Sequence, residues 1–382
     1  MLGDTVVRIG VDIRYLGYEY TGIPVFIYDI LKYWNKLYKN DEFFLYSNRN
    51  INLDIALGDN WIIRIDKKRF GTLWVLKDLY HLLQEDRIDV FWEPMHFLPL
   101  KKNNIKYFVT IHDLSVLIDK RFGSISDMLM ERLFLKKSCN QADKIMAISK
   151  STLNDVLKYT DCEPQKVCLI YNGDSPYKYL KTNLSEESHS TFQRKWRIKP
   201  KDYFLFVGTI EPRKNIITLI RAYEHFRNTV CEKKKLVLVG KKGWRSKEIY
   251  EFIQKSKYVE DIIMTGYVTE EEKELFYRDS IALVFPSLYE GFGFPIIEAM
   301  SLGVPVITSK VSSMPEVGQD VAIYIDNPDD YRNISARMQE VMNYDRNYLI
   351  EISTNGIECS KKFSRLNCAK EIYIQLENLY QS

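Results

Sequence analysis

Residues 287–301 read SLYEGFGFPIIEAMS, and they follow directly on an apolar, β-branched run at 281–285, IALVF. Such a run predicts a parallel strand buried on both faces. The chain then turns through a loop holding Gly291 and Gly293, with Phe292 and Phe294 interleaved, and enters a helix with Pro295 near its first turn. Proline is tolerated there because the first amides of a helix have no partner inside it. Strand, glycine loop and helix start together predict an anion site. Backbone amides and the positive end of the helix dipole converge there, and glycine lets a phosphate come close. Two carboxylates bracket the loop, Glu290 before the glycines and Glu298 about one turn into the helix. A ligand lying across the loop meets one of them with each end, so they need not act as an acid/base pair. The plain alternative is a strand–helix turn whose acids only complement the dipole, each worth about a few tenths of a kcal/mol.

Upstream, residues 206–215 read FVGTIEPRKN. A strand ends at Gly208, a short loop follows, and Arg213 and Lys214 stand where a helix begins. Cations at that end oppose the helix dipole, so an anion is expected beside them. Departure of a nucleoside diphosphate builds negative charge on phosphate, and an Arg fork with a Lys point charge offsets it in a low-dielectric site.

Further outward the pattern is strand and helix in alternation, which implies parallel βαβ units. Strands are expected at 6–13, 43–47, 61–65, 89–94, 106–113, 144–149 and 167–173, with helices at 24–38, 73–84 and 125–139. Between 181 and 199 the pattern lapses into polar sequence including TNLSEESHST, the candidate linker. A second block then has strands at 203–208, 235–240, 261–266, 281–286, 304–309 and 321–326, with helical patterns from 330 onward. With 382 residues the chain exceeds what a single core supports, so two domains are expected. Net charge is +3, and through residue 190 there are 26 Lys+Arg against 25 Asp+Glu, so neither half is a basic nucleic-acid module. No stretch is long and apolar enough for a transmembrane helix, and the first residues lack the layout of a signal peptide. The six cysteines have no CxxC pair and read as free thiols of a reducing cytosol.

The glutamate, seven residues, glutamate spacing around GFGFP and the EPRKN run resemble the family-4 retaining glycosyltransferases of GT-B fold. The resemblance runs from about Arg8 to Asp326, with its motifs in the family's order. It implies an α/β fold of two Rossmann-like lobes facing each other across a cleft. Residues 1–185 would form the acceptor-binding lobe and 195–362 the nucleotide-sugar-binding lobe, with a last helix at about 363–382 packing back on the first. The resemblance puts Glu290 at the donor sugar, Glu298 at the ribose, and Arg213 and Lys214 at the diphosphate beside Gly208. Thr209 stands where other members carry arginine. In VTIHDLS (109–115) it makes His112, at a strand's carboxyl end, a sugar ligand rather than a nucleophile, with Asp113 an orienter or loop cap. In TGIPVF (21–26) it makes Gly22 part of the loop near acceptor and donor phosphate. Val268, in GYV (266–268), falls where members hold the nucleobase. SSMPEVG (312–318) reads mainly as a strand-to-helix turn, with Glu316 near the nucleotide.

The implied reaction is transfer of a hexose, with GDP-mannose as the favoured donor, to a lipid-linked or oligosaccharide acceptor in bacterial surface polysaccharide or O-antigen synthesis. No cofactor is expected and no metal, since there is no DxD at a strand end and the histidines are scattered. The same scaffold carries epimerases and phosphorylases, and a catalytically silent nucleotide-sugar-binding partner is the alternative outside enzymes. The retention of Glu290, Glu298, Arg213, Lys214 and His112 together argues against the silent partner. The expected location is the cytoplasm, with contact at the inner membrane face a second reading. It rests on DMLMERLFLKK (127–137) and the basic–aromatic runs at 66–70 and 119–122, against which stands an ordinary amphipathic core helix.

Overall fold

The computed structural model describes residues 6–17, 22–51, 53–68, 71–173 and 186–382, with the side chain of 127 excepted. Thr21, residues 69–70 and the start of the expected linker, 181–185, lie outside the described residues. The chain divides into two compact units, one of Met1–Lys120, Ser124–Ser175 and Ser364–Ser382, the other of Arg121–Gly123 and Pro176–Phe363.

In the first unit β1 (Arg8–Asp12), β2 (Glu42–Ser47), β3 (Trp61–Ile65), β4 (Val90–Glu93), β5 (Lys106–Ile111), β6 (Lys144–Ala147) and β7 (Val167–Leu169) form one parallel sheet. Their order is β3-β2-β1-β4-β5-β6-β7. The chain moves outward from β1 on one side, then returns to place β4 on the other, so the switch point lies between β1 and β4. Central strands such as VFWE of β4 are buried along their whole length, as helices on both faces of a parallel sheet require. The last helix, Arg365–Gln381, belongs to this unit. Trp34 Nε1, on helix Ile23–Leu37, donates to Ala369 O at 2.8 Å, and Tyr38 stacks on Tyr373.

The second unit holds β8 (Tyr203–Val207), β9 (Lys235–Val239), β10 (Ile262–Gly266), β11 (Leu283–Phe285), β12 (Val306–Ser309) and β13 (Ile323–Ile325). The sheet order β10-β9-β8-β11-β12-β13 puts its switch point between β8 and β11. Gly240 shows how tightly β8 and β9 end together. Its φ is +151°, and an added Cβ would lie 1.9 Å from Gly208 O, so only glycine fits.

Each expected strand is present, shortened at one or both ends in most cases, but two helical expectations and the expected linker change. The segment 73–84 is two helices, Thr72–Lys77 and Leu79–Glu85, broken at Asp78. The segment 125–139 is widened by a π-helical turn at Glu131–Leu135. The polar stretch 181–199, expected to be a linker, is helical over Glu186–Trp196. Phe192 and Trp196 of that helix pack on Phe276, and this sparse apolar edge is why no periodicity was visible.

Candidate active site

Open α/β sheets bind ligands outside the carboxyl ends of their strands, at the switch point. In the second unit that place is built by the loops after β8 and β11. After β8 the chain makes a single tight turn, Pro212–Lys214, then passes through Asn215 at φ +59° into helix Ile216–Thr229. Asn215 Nδ2 donates to Pro286 O and Pro328 O, and Leu288 N donates to Arg213 O at 2.9 Å, which ties the two loops together.

Within this frame two motifs far apart in sequence form one buried ion network. Lys214 Nζ donates to Glu290 Oε1 at 2.6 Å, and Arg213 Nη1 donates to Glu290 Oε2 at 3.0 Å and to Tyr289 O at 2.9 Å. Arg213 also pairs with Glu211 through Nη2 at 2.9 Å. Lys214 and Glu290 are only 8% and 6% exposed. Burial works against the charge on Glu290, but Arg213 and Lys214 outweigh it and hold the carboxyl below its ordinary value. For Lys214 burial wins over Glu290, and the ammonium sits below the ordinary lysine value. The anion that the basic pair demands is therefore Glu290 itself. A phosphate reaching Lys214 would share it with this carboxylate.

The glycine loop is braced from a direction that sequence reasoning missed. Ser312, at φ +50°, accepts the Glu290 N–H on its Oγ at 2.9 Å. Ser313 Oγ bonds to Glu290 O at 2.9 Å and Phe292 O at 2.8 Å. The SSMPEVG run is thus more than a turn: its serines fix the backbone that aims Glu290. A non-glycine residue at positive φ beside the loop was not legible, since only the fold shows what the strain holds in place. Gly293, at φ +107°, opens helix Phe294–Ser301, with Pro295 in its first turn. Glu298 on this helix is not part of the Arg213–Lys214 network. Its Oε1 accepts from Lys273 Nζ at 3.0 Å and its Oε2 from Tyr277 Oη at 2.7 Å. Val268 is buried just after Gly266, whose carbonyl accepts the Gly240 N–H.

The remaining expected site residues belong to the first unit. Gly22, at φ +56°, opens helix Ile23–Leu37 with open space where a side chain would stand. His112 follows β5, and its Nε2 donates to Pro94 O at 2.8 Å, which leaves Nδ1 as the acceptor of a neutral ring. Burial, helped by neighbouring His96, pushes its pKa down to about 4. His96 sits at the end of the neighbouring strand. Its Nε2 lies 3.2 Å from His112 N and its Nδ1 lies 3.0 Å from Glu131 Oε1; burial works against a charge on this ring, but Glu131 outweighs it and raises the His96 pKa above the ordinary imidazole value. Asp113 caps the turn that follows, accepting Ser115 N and Oγ.

At the switch point of this unit lies a second buried ionic cluster, also unread from the sequence. Arg14 Nη1 pairs with Asp12 Oδ2 at 3.0 Å, and Arg14 Nη2 approaches Glu93 Oε1 at 3.9 Å; all three residues are essentially fully buried. Burial first, then the Asp12 carboxylate, hold Glu93 well above the usual carboxylate range despite Arg14. The side-chain contact of Glu93 with Asp12 adds to this preference for the protonated carboxyl, while the backbone N–H of Met95 works against it. The signal was there, an acid closing each of two neighbouring strands, but only the strand order makes β1 and β4 adjacent.

Among known proteins, the profile of "Glycosyl transferases group 1" matches residues 188–357 and that of "Glycosyltransferase Family 4" matches 21–174. The Escherichia coli "O-antigen chain mannosyltransferase B" is 29% identical over 283 residues, 74% of this chain and 72% of that protein. The E. coli "Serotype-specific mannosyltransferase WbdA" is 30% identical over 263 residues, 68% of this chain but 32% of the relative's own length. Among solved structures, Anabaena HepE in complex with UDP and glucose superposes with a TM-score of 0.75 at 15% identity, over 97% of this chain and all of that one. That similarity bears on the fold and agrees with the two parallel sheets, while the family profiles meet the chain on both sides of its central segment. The chain belongs to the family-4 glycosyltransferases of GT-B fold, and it is a glycosyltransferase.

Proposed function

We propose that this glycosyltransferase moves a hexose, mannose in the first place, from a nucleoside-diphosphate sugar to a lipid-linked or oligosaccharide glycan in bacterial O-antigen or surface polysaccharide synthesis. The observation that carries the reading is the junction of Arg213, Lys214 and Glu290 at the β8/β11 switch point. Mannose and O-antigen are supported by the names of the relatives.

In this reading Arg213 and Lys214 bind the diphosphate, with Gly208, Gly291, Gly293 and Gly22 giving the backbone room around it. Glu290 and His112 meet the sugar, Glu298 the ribose, and the backbone around Val268 the base. As the bond from the sugar's anomeric carbon to the phosphate oxygen breaks, negative charge grows on the leaving phosphate, where preorganised cations stabilise it most. The acceptor oxygen forms its bond on the same face and its proton passes to that phosphate, so configuration is retained. Positioning and charge stabilisation then replace any metal or protein nucleophile.

We place the enzyme in the cytoplasm, resting on the membrane that carries its acceptor. No described helix is long and apolar enough to cross a membrane. Ile125, Leu129 and Leu133, however, stand exposed four residues apart on one helical line, beside exposed Arg132 and Lys137. This favours the membrane-surface reading of 127–137 over the core helix.

The test is nucleoside-diphosphate release from GDP-, UDP- and dTDP-sugars with and without a polyprenyl-linked glycan. The anomeric configuration of the product is read by NMR, and EDTA is added in parallel. GDP-mannose turnover that survives EDTA and yields an α-linkage is expected. Loss of turnover with EDTA would remove the metal-free mechanism, and an inverted product the same-face route.

A further inference from the structure

Glu298 is a nearly buried carboxylate, 6% exposed, at the edge of the candidate site. Each of its oxygens accepts a hydrogen bond from the same neighbouring helix, Glu270–Asp279. Lys273 and Tyr277 are four residues apart on that helix, so they lie one above the other on a single face. Thr269 fixes the start of the helix by accepting the Glu272 N–H on its Oγ1. Lys273 Nζ is itself steadied by Glu270 Oε2 at 3.0 Å, and the Tyr277 ring is fully buried. A glutamate side chain has three rotatable bonds, and ordering it on binding costs affinity. Here the ordering is complete before any ligand arrives.

We infer that Lys273 and Tyr277 are positioning residues for donor recognition, holding the Glu298 carboxylate in the one orientation that accepts the ribose hydroxyls. The inference rests on the reading of Glu298 as the ribose ligand. A carboxylate oxygen accepts more than one hydrogen bond, so the clamp and a sugar hydroxyl share the same oxygen without competing. The opposing explanation is that any buried carboxylate needs donors, in which case the pair serves stability alone.

The two separate on ribose discrimination. Calorimetric titrations with GDP and UDP, each beside its 2′,3′-dideoxy counterpart, give the preference for ribose in the full-length protein. Glu298→Gln should bring that preference close to one. Tyr277→Phe and Lys273→Met should each lower it by about three-fold or more, a part of the roughly ten-fold or more that one charge-assisted hydrogen bond is worth, since the carboxylate keeps its other donor. KM for the sugar nucleotide should rise while kcat stays within about two-fold, and Lys273→Arg should recover much of the preference. If both variants keep the wild-type preference while Glu298→Gln loses it, the positioning role is overturned and the pair is structural. If Glu298→Gln keeps it too, the ribose assignment itself falls. Thermal midpoints accompany each variant; should Tyr277→Phe not fold, the partly exposed Lys273 decides.

Discussion

Charge-opposed substitutions at the switch-point network give the sharpest test. The four ionic groups Glu211, Arg213, Lys214 and Glu290 balance, so Lys214→Met leaves the cluster net negative and Glu290→Gln leaves it net positive. Lys214 Nζ lies 2.6 Å from Glu290 Oε1. A phosphate oxygen bonded to Nζ at about 2.8 Å lies within about 5.4 Å of that carboxylate oxygen. At an effective dielectric of about 20, the lysine attracts a unit charge there by about 6 kcal/mol and the carboxylate repels it by about 3 kcal/mol. Desolvation and rearrangement leave roughly half of each, so Lys214→Met should weaken nucleoside-diphosphate binding about 100-fold and Glu290→Gln should tighten it about 10-fold. Turnover should fall in both variants: Lys214→Met loses a cation proposed to offset the leaving phosphate, and Glu290→Gln loses the sugar contact proposed for it. Glu290→Gln also removes the anion that raises Lys214, whose pKa burial already lowers, so the titrations run over a series of pH values and the variants are compared where binding no longer strengthens as pH falls. The assay is calorimetry with GDP and UDP, and thermal midpoints confirm the fold. Binding by Glu290→Gln weaker than wild type, or unchanged binding by Lys214→Met, would refute the placement of the phosphates on this pair.

Three further outcomes follow from burial and backbone geometry. Glu93, held protonated, binds in the fold a proton that the unfolded chain releases. Stability should therefore drain as pH rises from about 4.5 towards its raised folded value, and Glu93→Gln should flatten that slope; parallel midpoint–pH curves would exclude a neutral Glu93. Gly240→Ala, forced against Gly208 O, should cost more than about 2 kcal/mol in urea denaturation, whereas Gly22→Ala, strained at φ +56° but in open space, should cost about 1–2 kcal/mol. The His112 ring, neutral down to about 4, should show no NMR titration near the ordinary imidazole value. Its contribution to stability should fall only as pH drops below about 6.5, where the unfolded ring takes a proton that the folded one refuses.

Local signals carried a large share of the fold. Val, Ile and Phe runs of strand length marked both sheets, because burial on both faces leaves no room for polar alternation. Helix capping is equally local, as in helix Lys150–Tyr159, where Ser149 Oγ accepts the Thr152 N–H three residues on. The glutamate-bracketed glycine loop and the EPRKN run named the family for the same reason, since each is one strand end and one helix start. The helix Glu186–Trp196 escaped because it buries little beyond Phe192, so its sequence is nearly all polar.

What the chain's order of residues could not disclose is which side chains meet across elements. Glu290 finds Lys214, 76 positions away, because strand order sets β11 beside β8, and Asp12 lies near Glu93 because β4 lies beside β1. Sequence fixes periodicity, and periodicity fixes elements. Partners, protonation states and the clamp on Glu298 depend on burial and distance, which exist only once the sheets have formed.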